Sequence, residues 1–369
     1  MSKFDSRWER YARLLDGPHK FADYDCERNT ISVEELFERY NELGFLYPAK
    51  QLELDQIWDK VRHNWAQAYK LGGDILRVYT YRSPNGEFAT TTLWRSGQDG
   101  WTAEHLVAND PVAAMIMTLG VSCDGISDGI KYVESWYRPT NPYPNRLYSR
   151  AARYIGSSHS SIRVYNYLAV NPNNLKKHLT TKFISEEVTT GSPELFELAC
   201  ETRGHIYATG EGLANSDISL SALHKLFQTV GLTRQRKVVL LYRPVEDVPV
   251  GAAIAYRGPL GFNLSLIENR CDILLGHGLT NDEILPAIAT LVDGVRDRYE
   301  GFPPGYIPVI GDNKVQDAVL SASAGRVLRR YAHFGVTQDG FAKWYDSVVS
   351  IVGRVVRHRA KKEARNQVT

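Results

Sequence analysis

The sequence predicts an α/β protein built of two similar modules, each a mainly antiparallel twisted sheet with helices on both faces. Three observations carry that reading. Short runs such as Val238–Tyr242 (VVLLY) and Tyr306–Ile310 (YIPVI) are the length and polarity of buried strands. Capping signals, Thr280-x-x-Glu283 above all, open stretches whose apolar residues recur at helical spacing: Ile284, Ile288, Leu291, Val295 and Tyr299. One order of elements, two helices, three strands, a helix, a strand and a helix, reads twice, over residues 32–156 and 193–336.

Residues 1–31 read as an N-terminal arm with a short amphipathic stretch at Trp8, Tyr11, Leu14 and Leu15. Ser32-x-x-Glu35 caps a first helix with Leu36, Tyr40 and Leu43 on one face and Gly44 as its stop. Leu52–Leu71 reads as a second, ended by Gly72-Gly73. Strands at Ile75–Tyr81, Glu87–Trp94 and Trp101–Val107 follow, the first two joined by Ser83-Pro84-Asn85-Gly86, a hairpin signal. Asp110 and Pro111 then open a helix, since a carboxylate caps the first amides and proline needs no hydrogen bond at the first position. Lys131–Arg138 alternates as a strand, Asn145–Ile155 suits a helix, and Ile162–Val170 is a further strand.

The stretch 172–192 is polar and turn-rich and reads as a boundary between modules at 32–171 and 193–337. In the second module, helices at Pro193–Ala208 and Asp217–Val230 precede strands at Val238–Tyr242, Gly251–Arg257 and Asn263–Asn269. After the Thr280 helix and the strand at Tyr306–Ile310, Asn313-x-x-Gln316 caps a helix with a stripe through Leu320, Ala324, Leu328 and Tyr331. The C-terminal segment, 338–369, holds a long helix at Phe341–Arg365 that turns basic after Gly353. A basic helix end exposed to solvent explains that tail, which lacks the interleaved aromatics of a stacking surface.

Composition excludes several classes. Hydrophobic content of 43% and charged content of 23% are those of a soluble globular protein, and a net charge of +2 gives no case for nucleic acid. No run of 18 apolar residues exists, so no membrane span is expected. The four cysteines (Cys26, Cys123, Cys200, Cys271) are scattered, without C-x-x-C or histidine at metal spacing. That suits a reduced, cytoplasmic protein without a metal.

Two motifs carry a family likeness. Tyr137-Arg138-Pro139-Thr140-Asn141 leads into Asn145-Arg146-Leu147-Tyr148, and Val309-Ile310-Gly311-Asp312-Asn313 leads into the last helix of the second half. With the order of elements, they resemble the GNAT acyltransferase superfamily, in tandem. The resemblance implies an N-acyltransferase moving an acyl group from a thioester, acyl-CoA or an acylated carrier protein, to a small-molecule amine. It places Tyr148 as proton donor, Glu268 as base, and Asn313 at the strand–helix edge of the second half.

The family grips the donor pyrophosphate with a Gly-rich loop, and here the sequence departs from it. The first half has Val107-Ala108-Asn109-Asp110-Pro111, in which an anion and a proline repel phosphate. The second half has Arg270 and then Gly276-His277-Gly278, so these are its expected cofactor-binding residues and the second half is the expected active one. Structural roles compete: Glu268 paired with Arg270, Tyr148 as a half-buried aromatic, His277 as a turn residue. His159 among the serines of 157–161 reads as a polar loop.

The run from Tyr137 to Arg146 holds three prolines, which fix φ and remove amide donors. It suits recognition by side chains, with Tyr137, Arg138, Asn141, Tyr143 and Arg146 holding an anionic or aromatic ligand. Two classes of function therefore stand: an N-acyltransferase with one working half, and a non-catalytic ligand-binding or regulatory protein on degenerate modules.

Overall fold

In a computed structural model, residues 14, 15 and 19–366 are described, with side chains to 358; Trp8 and Tyr11 lie outside them. The described strands are β1 (Cys26–Arg28), β2 (Leu76–Arg82), β3 (Phe88–Arg95), β4 (Gly100–Ala108), β5 (Tyr132–Tyr137) and β6 (Ser160–Val170), then β7 (Ile184–Val188), β8 (Gln235–Tyr242), β9 (Gly251–Arg257), β10 (Cys271–Leu275), β11 (Ile307–Gly311) and β12 (Gly325–Thr337). Helices of the first half are α1 (Val33–Glu42), α2 (Pro48–Leu54), α3 (Trp58–Lys70), α4 (Pro111–Ser127) and α5 (Pro142–Ile155). A short α6 (Pro172–Leu175) leads to α7 (Pro193–Arg203), α8 (His205–Gly210), α9 (Ser221–Gln228), α10 (Asn281–Val295), α11 (Asn313–Ser321) and the long α12 (Phe341–Asn366).

All twelve strands form one sheet, in the order β1-β2-β3-β4-β5-β12-β6-β11-β10-β9-β8-β7. Every neighbouring pair is antiparallel except β4·β5 and β10·β11, each joined across a helix, as parallel pairing requires. The order is a mirror image about its centre, with one exchange. β6 leaves the first half through α5 yet pairs with β11, and β12 leaves the second half through α11 yet pairs with β5. The two crossing strands pair with each other from Gly325↔Val170 to Val336↔Ser160. Each half thus lends the strand that covers the other's open edge, leaving no unpaired edge at the centre of the molecule.

Helices cover both faces. On one face of the first half, α4, α5 and α12 bury Val112, Ile116, Leu147 and Val352 against β2–β5 and β12. On the other, α1 and α3 bury Leu36, Tyr40, Val61 and Trp65 together with Phe227 of α9. In the second half α10 packs on one face and α7 and α8 on the other. The halves are also clamped through α3: Trp65 Nε1 donates to the Gly261 carbonyl (2.7 Å) and Asn64 Nδ2 to that of Leu260 (2.9 Å). Gly261 has φ of 83°, and a Cβ there would run into the Val61 side chain, so the approach needs glycine.

Several elements depart from the sequence reading. Asn263–Asn269 is not a strand; it turns, ending in a 3-10 turn at Ile267–Asn269, and β10 follows it. The asparagines explain this, because Asn263 Oδ1 accepts from the Ser265 amide (2.7 Å) and Asn269 Oδ1 from the Gly258 amide (3.2 Å), offering the backbone partners outside a ladder. The last helix of the second half stops at Ser321, and the stripe extended through Leu328 and Tyr331 belongs to β12. Its N-cap is Asp312, which accepts from the Val315 amide (3.0 Å), and Asn313 is the first helical residue. The proline-rich run is a short turn, residues 138–141, that passes into helix: Asn141 caps α5, with Pro142 at its first position, three residues before the start expected at Asn145. β1 and β7, the two outer strands, lie in stretches read as arm and boundary.

Candidate functional site

The site begins with an irregularity in β4. Thr90 faces Val107 and Thr92 faces Glu104, so β4 carries one residue more than β3 over this interval. His105 absorbs the bulge with φ of 57°, in the left-handed region. The parallel pairing of β4 with β5 covers only Gly100↔Tyr132 to Thr102↔Glu134, beyond which the strands part. Glu104 bridges the gap: its Oε1 accepts the Trp136 amide proton at 2.6 Å, taking the place of a strand carbonyl.

A cavity of about 530 Å³ opens in this gap, under α4, α5 and α12. That size suits a small organic ligand. Glu104 and Ser135 reach it from the two strands, Tyr137, Asn141 and Tyr143 from the strand–helix connection, and Tyr148 from α5. Glu104 keeps part of its surface open to the cavity. Burial pushes its carboxyl well above the usual carboxylate range against the pull of the Trp136 amide; the nearby carboxylates of Glu268 and Glu134 add to the rise and Lys50 opposes it. The rise makes this carboxyl a stronger proton acceptor than an ordinary carboxylate.

Tyr148 is stacked on Phe334 (ring centroids 4.7 Å apart, 21° between planes) and lies 5.1 Å from the Tyr137 ring. Burial raises its hydroxyl above the ordinary range, with Ser135 opposing, so the proton stays on. Behind Glu104, His105 is packed among Tyr40, Phe45, Trp65 and Trp94. Burial, and then the charge of Lys50, hold His105 neutral. Lys50 of α2 is itself buried, with Nζ 3.9 Å from the Phe45 ring centroid, and burial pushes its pKa down to about 8.

The α4 end of the cavity is closed to anions. Asp110 Oδ1 accepts from the amides of Val112 (2.7 Å) and Ala113 (3.2 Å), and Pro111 has none to offer. The amides that would draw a phosphate are held by a carboxylate already. Phe341 and Trp344 of α12 form the outer wall, Trp344 donating to Ser122 Oγ at 2.8 Å.

The matching gap of the second half is filled. β10 and β11 pair at Cys271↔Val309 and Asp272↔Ile310. There the Arg203 guanidinium of α7 donates through Nη2 to the carbonyls of Ile273 and Ile310, both at 3.0 Å. Its other side lies 4.0 Å from the Tyr165 ring centroid, and the residue is 3% exposed. A cation on two carbonyls and an aromatic face replaces the open cavity.

The residues expected to act in the second half are accordingly structural in their contacts. Glu268 is 1% exposed and paired with Arg234, not with Arg270. Arg270 is fully buried between Glu211 (2.8 Å) and Asp272 (3.2 Å), with Glu134 of the first half at 3.9 Å, and is stacked on Tyr256 and Trp136. Gly276 donates its amide to the Val250 carbonyl (2.9 Å), the His277 amide is taken by Glu201 (2.7 Å), and the Gly278 carbonyl by Arg243 (2.9 Å). Asn313 accepts from Asn166 of β6 (3.0 Å). In the first half, Tyr137, Asn141, Tyr143 and Tyr148 share the cavity, whereas Arg138 turns away to the Tyr47 hydroxyl and Arg146 points to a neighbouring recess. Glu104, Ser135 and Arg203 were not singled out from the sequence; Glu104 sits in an ordinary-looking strand, and only the bulge turns it into the gap.

No family model and no curated relative match the sequence. Solved structures similar to this chain include a tandem GNAT protein from the clavulanic acid biosynthesis pathway, at 9% identity and a TM-score of 0.40, covering 85% of this chain and 98% of that one. A GCN5-related N-acetyltransferase-like protein from Streptococcus suis matches at 11% identity and a TM-score of 0.39, over 82% and 99% of the two chains. A GCN5-related N-acetyltransferase from Kribbella flavida matches at 14% and 0.34, over 75% and 95%. The chain has a fold-level resemblance to tandem GNAT proteins. Among the described residues, no helix is long and apolar enough to cross a membrane.

Proposed function

We propose that the chain is a GNAT-like N-acyltransferase whose working cleft is the gap between β4 and β5, the second half serving as a structural partner. The observation that carries this reading is the contrast between the gaps, one open with Glu104, Ser135 and Tyr148 around it and one filled by Arg203. This moves the working half from the second, expected from Arg270 and the glycines, to the first. The donor arm lies in the open cavity with its carbonyl carbon between the strands. An amine attacks that carbon: the C–N bond forms, the C–S bond breaks, the amine proton passes to Glu104 and Tyr148 gives its proton to the departing thiolate. Glu104, raised by burial, is basic enough to accept, and Tyr148, kept protonated, is able to donate.

The test is release of thiol from acetyl-CoA and acetyl-pantetheine in the presence of a panel of primary amines. Turnover that falls at least about 100-fold in Glu104→Gln supports the reading, on the scale of general acid–base catalysis. Turnover unaffected by Glu104→Gln, or no turnover with any amine, sinks it. A second reading, ligand binding without turnover, is favoured by the Asp110 cap, which withholds the α4 amides from a phosphate. Saturable binding of the donor analogue without thiol release from any amine identifies that case.

A further inference from the structure

A second recess, of about 350 Å³, lies between α4, α5 and α12 and shares Thr118, Tyr143 and Leu147 with the main cavity as walls. Arg146 and Arg150 stand on it, four residues apart on α5 and so on one face of the helix. No carboxylate lines this recess; Met115, Val348 and Ile351 supply the apolar remainder. Neither arginine makes an ion pair or hydrogen bond with a described residue. Two like charges at this spacing repel one another and weaken a helix unless an anion lies between them. Several other arginines are held by carboxylates: Arg77 by Asp124 and Asp128, Arg243 by Glu246 and Glu283, Arg270 by Glu211 and Asp272. Arg146 and Arg150 make no such pair with a described residue, and the recess they stand on adjoins the cavity between β4 and β5.

The α4 end of that cavity repels phosphate, yet the thioester donors expected from the sequence carry one. We propose that Arg146 and Arg150 form the phosphate site of the cleft, taking over on α5 the work that the α4 amides cannot do. The ligand is a pantetheine thioester ending in a phosphate, its arm along the main cavity and its phosphate in the recess, where guanidinium groups offer paired donors matched to phosphate oxygens. This inference rests on the acyl-donor reading above and adds to it the place and chemistry of the anion.

The experiment measures binding of unreactive thioether analogues of acetyl-pantetheine, acetyl-4′-phosphopantetheine and acetyl-CoA by calorimetry. In the unaltered protein the two phosphorylated forms are expected to bind at least about tenfold more tightly than the pantetheine form, with the difference shrinking at high salt. In Arg146→Ala/Arg150→Ala that ratio should fall to about one while the pantetheine form keeps its affinity. Both positions are exposed on α5, so the double variant is expected to fold. A pantetheine form that binds with no gain from phosphate, or a ratio untouched by the double variant, overturns the phosphate site and leaves the donor reading standing. Failure of all three analogues to bind overturns both. A carrier protein bearing the phosphopantetheine arm, run in parallel, distinguishes the two sources of that phosphate: tighter binding than the free arm assigns it to a carrier, equal or weaker binding to coenzyme A.

Discussion

The two gaps where a parallel strand pair parts are built from the same elements and end in opposite states. Between β4 and β5 a bulge turns Glu104 toward its neighbour strand, one carboxylate oxygen holds one amide, and a cavity of about 530 Å³ remains. Between β10 and β11 Arg203 binds a carbonyl on each side at 3.0 Å, and its guanidinium occupies the gap. Parting strands expose backbone groups that must find partners. An acceptor side chain solves this on the amide side and leaves room; a large cation solves it on the carbonyl side and uses the room up. The choice of plug, more than the course of the backbone, separates a candidate working half from a structural one.

The two glutamates near the first gap sharpen the point. Glu134 is sealed in the seam between the halves, where it accepts from Thr102 (2.9 Å) and His333 (2.9 Å). Burial alone would raise its carboxyl, but Arg270 and His333 prevail and hold it at about 2. Glu104 opens on the cavity with one amide and no ion pair to a described residue, and burial raises it despite the pull of Lys50. One carboxyl is fixed as a structural anion, and the other is free to exchange a proton.

The largest effect expected from breaking this comparison is on the seam. Arg270→Ala leaves Glu211 and Asp272 buried without their shared cation, which costs about 3–5 kcal/mol, read as a drop in the denaturant midpoint. A loss below about 1 kcal/mol would mean that water or a neighbour compensates. Arg203→Ala comes next: two buried carbonyls lose their donor, for a cost of about 2–4 kcal/mol. It also empties the second gap, so weak binding of a pantetheine thioether there is expected in addition to that in the first half.

Glu104→Gln should change the pH profile more than the stability at any one pH. With its folded pKa above the ordinary 4.5, Glu104 stabilises fully below 4.5, and that contribution is lost as pH rises through its raised value. The variant should flatten this alkaline-side fall in melting temperature; an unchanged profile would show that Glu104 is ionised in the fold. Glu134 works in the reverse sense, its stabilisation present above 4.5 and lost as pH falls toward about 2. The smallest effect is that of Tyr148→Phe, which keeps the stack on Phe334 and is expected to leave stability within about 1 kcal/mol while slowing thiol release about tenfold or more.

Local patterns were legible in the sequence and distant pairings were not. The hairpin at 83–86, the Asp110–Pro111 start of α4 and the Thr280 capping box are written in neighbouring residues, and each is present. The exchange of β6 and β12 depends on which strand edge each meets after a helix, which no local signal records. Stripes at helical spacing misled at 325–331 because a long strand shared between the two halves of the sheet can be apolar on either face in part. At the site, Tyr137, Asn141, Tyr143 and Tyr148 line one cavity because they lie on one turn and helix. Glu268 was expected as a base and Arg270 as a donor-binding residue; the partners that bury them, Arg234 and Glu211, are remote in sequence. Glu104 and Arg203 acquire meaning only from a bulge and a gap.

On the proposed reading, the gap of the first half is the one that receives a ligand. The most direct test is a crystal structure with an acetonyl-pantetheine thioether soaked into the unaltered protein. Density is expected between β4 and β5, within hydrogen-bond reach of Glu104 or Tyr148, with Arg203 still on the carbonyls of Ile273 and Ile310. Density between β10 and β11 with Arg203 displaced, and an empty first gap, would contradict it.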